Sequence, residues 1–335
     1  MQPEEERTAF PRLCQGTHCM RMMDKTDRYQ DAILSDCEYY TSGEGISIRY
    51  HRWQITKSPP NGTVILLGGR KEFLEKYSET AGDLNRIGFD VYSFDWRGQG
   101  LSARVLPDRS KGFIRDYDEY LQDLQVFFDT VIPAKTRRPI YFLAHSMGGH
   151  LALRFLHRCR TEIDGAVLSA PMIDIRTDPY PRWLVRLLIQ MALKVGRHDA
   201  IVPGSRERSE RDWHFKGNPL TSDPQRFQAE KRALKANPDL IVDAVTFAWL
   251  AATMDSIDIL KTPGYLEAIT TPVLIVSAGA DRVVSIKAQQ EVCARLPNCR
   301  LTMIPASQHE ILMETDVIRA KFWKLFKNFT GICGP

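Results

Sequence analysis

Ser146 lies in Pro-Ile-Tyr-Phe-Leu-Ala-His-Ser-Met-Gly-Gly, residues 139–149, where an apolar run meets a tight turn and Gly148 and Gly149 open a helix. A serine hydroxyl is a weak nucleophile in water. To use it, a protein must expose it, pair it with a base and cradle the oxyanion that forms. A strand–serine–helix turn does the first and third jobs: it lifts the hydroxyl clear of the sheet, and the helix N-terminus aims the Met147 N–H at the developing charge. The pattern small-x-Ser-x-Gly is weak alone. Its flanks agree with it, since residues 139–143 form a compact apolar run and His150–His157 reads as a partly buried helix. Ala144 stands where glycine is usual, and one methyl is expected to be tolerated there. The competing reading is a serine that caps an ordinary helix start.

A base and an acid must come from elsewhere. On a parallel sheet of this kind, serine, acid and histidine follow in that chain order. Of the eight histidines, His309 sits just after the last apolar run, in Pro305-Ala-Ser-Gln-His309-Glu-Ile-Leu-Met313. His51 falls in an early strand, and His18, His157, His198 and His214 have no strand-end context. His145 adjoins the nucleophile, but neighbours in such a turn point apart, so it is expected in the pocket wall, as a structural or substrate-binding residue. Asp281 ends Val273-Leu-Ile-Val-Ser-Ala-Gly-Ala-Asp281 in a loop off a strand. There it would fix the imidazole tautomer and stabilise the imidazolium without taking the proton. Asp174 is the alternative acid. The second oxyanion donor is expected after the run 63–67, in Gly68-Gly69-Arg70, where glycine lets the backbone approach and Arg70 offers its N–H. Gly69 would then border the substrate, although a plain strand-to-helix turn would read the same. Asp95 and Arg97 are read as structural.

The remaining elements must bring these loops together. Strand-like runs at 37–40, 46–53, 63–67, 90–94, 139–143, 165–169, 273–277 and 301–304 alternate with helical patterns at 72–86 and 117–131. Such alternation predicts an α/β fold, a mostly parallel sheet with helices on both faces. The last three runs are expected to be buried strands. Residues 1–30 read as a polar extension, and 31–170 with 263–335 as the catalytic domain. Between them, 171–262 shows helical periodicity and no convincing strand, so it reads as a helical cap over the strands' C-terminal ends. Trp183 and Leu187 lie on an apolar face there with Leu184, Leu188, Met191, Ala192 and Val195. That face would line an acyl pocket, touch a lipid surface or pack on the catalytic domain. Arg182, Arg186, Lys194 and Arg197 beside it suit either an anionic interface or a solvated surface.

Composition narrows the classes. Apolar content of 43% and charged content of 26% suit a globular protein, and a net charge of +4 over 335 residues does not argue for nucleic-acid binding. No apolar run reaches the length of a membrane span, and no secretory leader is read at the N-terminus. Cys14, Cys19, Cys37, Cys159, Cys293, Cys299 and Cys333 lack a metal-ligand pattern and read as scattered thiols, which predicts a cytoplasmic protein. Neither a dinucleotide fingerprint nor a phosphate loop is present.

Together these segments resemble the α/β-hydrolase superfamily, within it the lysophospholipase and monoacylglycerol-lipase-like branch. The likeness rests on 68–77, Asp-Trp-Arg-Gly-Gln-Gly-Leu-Ser (95–102), Ala-His-Ser-Met-Gly-Gly (144–149), Ser-Ala-Pro-Met (169–172), Asn-Pro-Leu-Thr-Ser-Asp (218–223), Ser-Ala-Gly-Ala-Asp (277–281) and Gln-His-Glu-Ile-Leu-Met-Glu (308–314). The Gly-Arg loop at 69–70, in place of His-Gly-x-Gly, tilts it toward the lysophospholipases. The resemblance implies an α/β-hydrolase fold with an inserted helical cap, and carboxylic-ester hydrolysis through an acyl-enzyme on Ser146, His309 and Asp281. Arg70 and Met147 would form the oxyanion hole. It implies no metal or organic cofactor and a small-molecule or lysolipid substrate. Peripheral contact with the inner membrane face, and monomer or homodimer, stay open. So do a small-metabolite esterase or amide hydrolase, an acyltransferase and a silent ligand-binding protein.

Overall fold

The computed structural model describes residues 34, 36–55, 59–133, 136, 138–158, 163–177, 179–205 and 210–332, with backbone alone at 210 and 211. The extension 1–30 and Cys14, His18, Cys19, Cys159 and Cys333 lie outside the described residues. In chain order the strands are β1 (Glu38–Thr41), β2 (Ser47–Trp53), β3 (Gly62–Leu67), β4 (Phe89–Phe94), β5 (Lys111–Gly112), β6 (Ile140–His145), β7 (Gly165–Ser169), β8 (Ala244–Val245), β9 (Val273–Ala278) and β10 (Cys299–Ile304). The α-helices are α1 (Ser78–Arg86), α2 (Tyr117–Thr130), α3 (Met147–Arg158), α4 (Arg182–Lys194), α5 (Pro224–Ala236), α6 (Phe247–Lys261), α7 (Ile286–Arg295) and α8 (Asp316–Thr330).

Eight strands form one sheet in the order β1-β2-β4-β3-β6-β7-β9-β10. β1, β2 and β4 pair antiparallel, and every pair from β4 through β10 is parallel. The inner strands are mostly apolar because both faces are covered. Their alternation divides the core. Ile65, Leu67, Phe142, Ala144, Leu168 and Ile275 face α2, α3 and α7, whereas Val64, Leu66, Leu143, Val167 and Val276 face α1 and α8. A slip of one residue would exchange these two sets, so packing specifies the register.

Four expectations need correction. The helix predicted from residue 72 starts later, with a 3-10 turn at Leu74–Tyr77 and then α1, because Lys71 takes φ 67° and Glu72 turns inward. β10 is a sheet edge, and most of its residues are half-buried or exposed. Within 171–262, β8 pairs in parallel with β5, a two-residue ladder too short to leave a periodic trace. Cys293 and Cys299 form a disulfide at the turn between α7 and β10, with Cα atoms 5.3 Å apart, so they are not separate thiols. Cys37 is a free, half-buried thiol.

Candidate functional site

The chemistry collects where β6, β9 and β10 end. Ser146 leaves β6 with φ 50°, a left-handed conformation that costs a non-glycine residue about 1 kcal/mol or more. The fold holds it there: Ser146 N–H donates to Ser169 O at 3.1 Å, and Ser146 O accepts from Met172 N–H at 2.9 Å. α3 then starts flush against β3. A Cβ on Gly148 would lie 2.3 Å from Leu67 O and 2.6 Å from Gly68 O, which admits no side chain there.

His309 enters from the loop after β10. Its Nδ1 donates to Asp281 Oδ2 at 2.8 Å, and its Nε2 faces Ser146 Oγ at 3.0 Å. A carboxylate accepts only, so Nδ1 carries the hydrogen and the Nε2 lone pair points at the hydroxyl. That is the tautomer a general base requires. The other Asp281 oxygen accepts Val283 N–H at 2.7 Å and Val284 N–H at 3.1 Å. Burial pushes the Asp281 carboxyl up, but the hydrogen bond and charge of His309, helped by the two N–H donors, hold it below its ordinary value. The alternative acid, Asp174, is engaged elsewhere, by Arg182 at 2.7 Å and Lys261 at 2.5 Å.

Gly68–Arg70 lies beside the nucleophile. A Cβ on Gly69 would meet His145 Nδ1 at 3.0 Å and Ser146 Cβ at 3.2 Å, so only glycine brings this backbone so close. The Gly69 N–H donates to Glu72 Oε2. Among the described residues, the N–H groups of Arg70 and Met147 have no protein acceptor. Two unengaged N–H groups flanking a serine suit an incoming oxyanion.

Behind this loop is a buried charge network that sequence reasoning missed. Glu72 accepts from Gly69 N–H, Tyr77 OH, His145 Nδ1 at 3.1 Å and Lys76 Nζ at 2.9 Å. His145 Nε2 lies 3.3 Å from His309 O, an acceptor, so both ring nitrogens act as donors. Burial opposes charge on His145, yet the adjacent Glu72 carboxylate more than offsets it and raises the imidazole above its ordinary value. Lys76 also reaches Glu310 at 2.7 Å and Glu230 of α5 at 3.3 Å, tying 171–262 to the His309 loop. Three carboxylates thus meet one ammonium and one imidazolium. Burial and the neighbouring carboxylates raise Glu310 against the opposing pull of Lys76, and its Oε2 has no hydrogen-bond partner among the described residues. The one legible hint was the i, i+4 spacing of Glu72 and Lys76.

A cavity of about 1040 Å³ opens over Ser146 and His309, walled also by Arg70 and His145. Met172, Trp249, Val245 and Phe227 give it apolar surface, whereas Lys71, Lys216, Lys231, Glu230 and Asp243 give it charge. Trp183 and Leu187 do not line it. They are 67% and 46% exposed, and of all the residues of α4 only Ile189 is buried. The pocket role expected for them is therefore corrected: α4 turns its apolar face outward. Arg182 instead reaches Asp258, and Arg186 reaches Asp255, both on α6 and each at 3.0 Å. Asp95 and Arg97 are both buried, Asp95 accepting from Leu74 and Leu101 N–H groups and Arg97 gripping Asp123.

Comparison with known proteins bears on the family and the fold. The family model described as "Serine aminopeptidase, S33" matches residues 58–316. Lysophospholipase L2 of Escherichia coli is 30% identical over 84% of this chain and 83% of its own. Probable lysophospholipase L2 of Haemophilus influenzae is 28% identical over 88% and 92%. Among solved structures, a soluble variant of monoglyceride lipase from Saccharomyces cerevisiae superposes with a TM-score of 0.69 at 19% identity, over 88% of this chain and 95% of that one, a likeness of α/β-hydrolase fold.

Proposed function

This chain belongs to the serine aminopeptidase S33 family of hydrolases, and on that premise we propose that it is a lipid esterase, cleaving the carboxylic ester of a lysophospholipid or monoacylglycerol. The observation that carries the reading is the hydrogen-bonded chain Asp281–His309–Ser146, whose histidine and serine line the cavity. Ser146 Oγ attacks the acyl carbonyl while His309 Nε2 takes its proton and Asp281 stabilises the imidazolium. The carbonyl oxygen, now negative, accepts from Arg70 and Met147 N–H groups. Collapse expels the glycerol-side alcohol, protonated by His309, and leaves an acyl-Ser146. Water, deprotonated by the same imidazole, attacks that ester and releases the fatty acid. No step calls on a metal or organic cofactor.

The lipid class is supported by the relatives named lysophospholipase L2 and by apolar surface at the cavity. It is also supported by α4, which presents Trp183, Leu188, Met191 and Val195 outward and suits contact with a lipid surface. Among the described residues no helix is long and apolar enough to cross a membrane. A cytoplasmic site at the inner membrane face would set Lys194 and Arg197 against an anionic leaflet. The Cys293–Cys299 bridge weighs toward a more oxidising compartment.

A panel of lysophosphatidylcholine, monoacylglycerol and p-nitrophenyl butyrate tests the class. Each further buried methylene is worth about 0.8 kcal/mol, so long-chain lipids should exceed the butyrate in kcat/KM by about tenfold or more. Hydrolysis of the butyrate without turnover of either lipid would defeat the lipid reading.

A further inference from the structure

Arg70 has a role in this mechanism through its backbone; its side chain has none. The guanidinium lies over the Trp249 ring, 4.9 Å from the centroid, and Nη2 donates to Asp243 O at 3.1 Å and Ala244 O at 3.0 Å. These partners carry no charge. Nε is buried and donates to nothing, and Nη1 has no acceptor among the described residues.

The arginines more deeply buried than Arg70 are treated differently, Arg154 with Asp118 among them. Arg49 meets Asp95 and Glu75, Arg97 meets Asp123 and Glu119, Arg226 meets Glu79 and Asp223, and Arg319 meets Asp83. Arg70 forms no ion pair with a described carboxylate, and the Asp243 carboxylate is engaged by Lys71 at 3.7 Å. Burial pushes the Arg70 guanidinium down to about 10, whereas Arg49 and Arg97 are raised by their carboxylates. Arg104, half-buried like Arg70, also donates only to carbonyls, but Arg70 alone of the two lies on the wall of the cavity that holds Ser146, where Asp243 and two tyrosines offset its burial only in part. Such a charge is costly unless an anion joins it.

The reading as a lipid esterase, on which this step rests, says where the anion would come from. A fatty acyl chain carries none, so the charge belongs to the alcohol half of the ester. With Nη2 held by two carbonyls and Nε enclosed, the Nη1 N–H groups are left to donate to a phosphate oxygen. We propose that the Arg70 side chain binds the phosphate of a glycerophosphate headgroup and so favours lysophospholipids over uncharged monoacylglycerols.

The test uses the full chain and the R70M variant, with lysophosphatidylcholine and monoacylglycerol of one acyl chain. R70M is expected to slow both substrates somewhat, because the oxyanion loop loses its tie to Asp243 and Ala244. The diagnostic quantity is the ratio of their kcat/KM values, which should fall about tenfold as the charge-assisted bonds to phosphate are lost. A ratio that moves less than about twofold would assign the guanidinium to holding the loop and overturn the proposal. A measurement on the unaltered protein guards against a misfolded variant: inhibition of p-nitrophenyl butyrate hydrolysis by glycerol 3-phosphate, glycerol and inorganic phosphate. Competition by glycerol 3-phosphate well above the other two is expected. Equal inhibition by inorganic phosphate would indicate a free-phosphate site, and no excess over glycerol would remove the anion site altogether. If neither lipid is turned over but glycerol 3-phosphate still competes, the lipid reading fails and the anion site survives it.

Discussion

Ser146→Ala is expected to lower p-nitrophenyl ester turnover at least about a thousandfold, since removing the nucleophile of such a triad leaves only oxyanion and binding contributions. The fold should survive. Alanine keeps the Cβ that already tolerates φ 50°, and the backbone bonds to Ser169 and Met172 are untouched. Only the Oγ contact with His309 Nε2, at 3.0 Å, is lost. Circular dichroism and Tm should be close to those of the wild type, because the backbone and its bonds are unchanged. Activity retained within tenfold, in a protein of normal Tm, would mean another group attacks the ester.

Asp281→Asn should cost about 10³–10⁴ in kcat through the wrong tautomer, not through lost shape. Val283 and Val284 both donate to one oxygen at 281, so an asparagine would turn its carbonyl toward them and its NH₂ toward His309. The imidazole would then have to accept at Nδ1 and carry its hydrogen on Nε2, facing Ser146, where a base needs a lone pair. Stability should follow pH with a definite sign. The folded Asp281 carboxyl lies below its unfolded value, near about 3.9, so its contribution is complete above that value and fades as pH falls through the folded one. The Tm gap between wild type and D281N should therefore be full at neutral pH and narrow only in acid, below about pH 4. A normal kcat in D281N would leave Asp281 without a part in the chemistry.

The parts of this site that were legible share one property: each follows an apolar run long enough to be read as a strand. Ser146, Asp281 and His309 stand just beyond β6, β9 and β10, and a parallel sheet delivers such loops to one edge. Gly69 and Arg70 were legible for the same reason, at the end of β3. What stayed hidden depends on what covers a surface. The apolar stripe of α4 announces a face, but periodicity does not say whether that face meets protein or solvent, and Trp183 and Leu187 proved exposed. β10 carries an apolar run yet closes the sheet as an edge. The Glu72–Lys76–Glu230–Glu310 network joins residues from three separate segments, and charges scattered in sequence are ordinarily read as solvated surface. Cys293 and Cys299 are only six residues apart, but spacing alone does not decide whether two cysteines pair.

The network also explains how the insertion can matter to catalysis without touching the reacting atoms. Glu230 on α5 shares Lys76 with Glu72, which holds the Gly69 N–H, and with Glu310, the neighbour of His309. Displacing the insertion would leave buried carboxylates around Lys76 with altered partners, an arrangement that costs several kcal/mol when one member is removed. Residues 171–262, the Gly68–Arg70 loop and the His309 loop are thus linked through the Lys76 ammonium, alongside the Arg70 bonds to Asp243 and Ala244 and the Glu310 N–H bond to Leu220 O.

The most direct test of the account treats the protein with a fluorophosphonate, digests it and locates the adduct by mass spectrometry. Phosphonylation of Ser146, in step with loss of esterase activity, is the predicted result. An adduct on a different residue, or activity that persists with Ser146 fully modified, would contradict the claim that this hydroxyl, activated by His309, carries the acyl group.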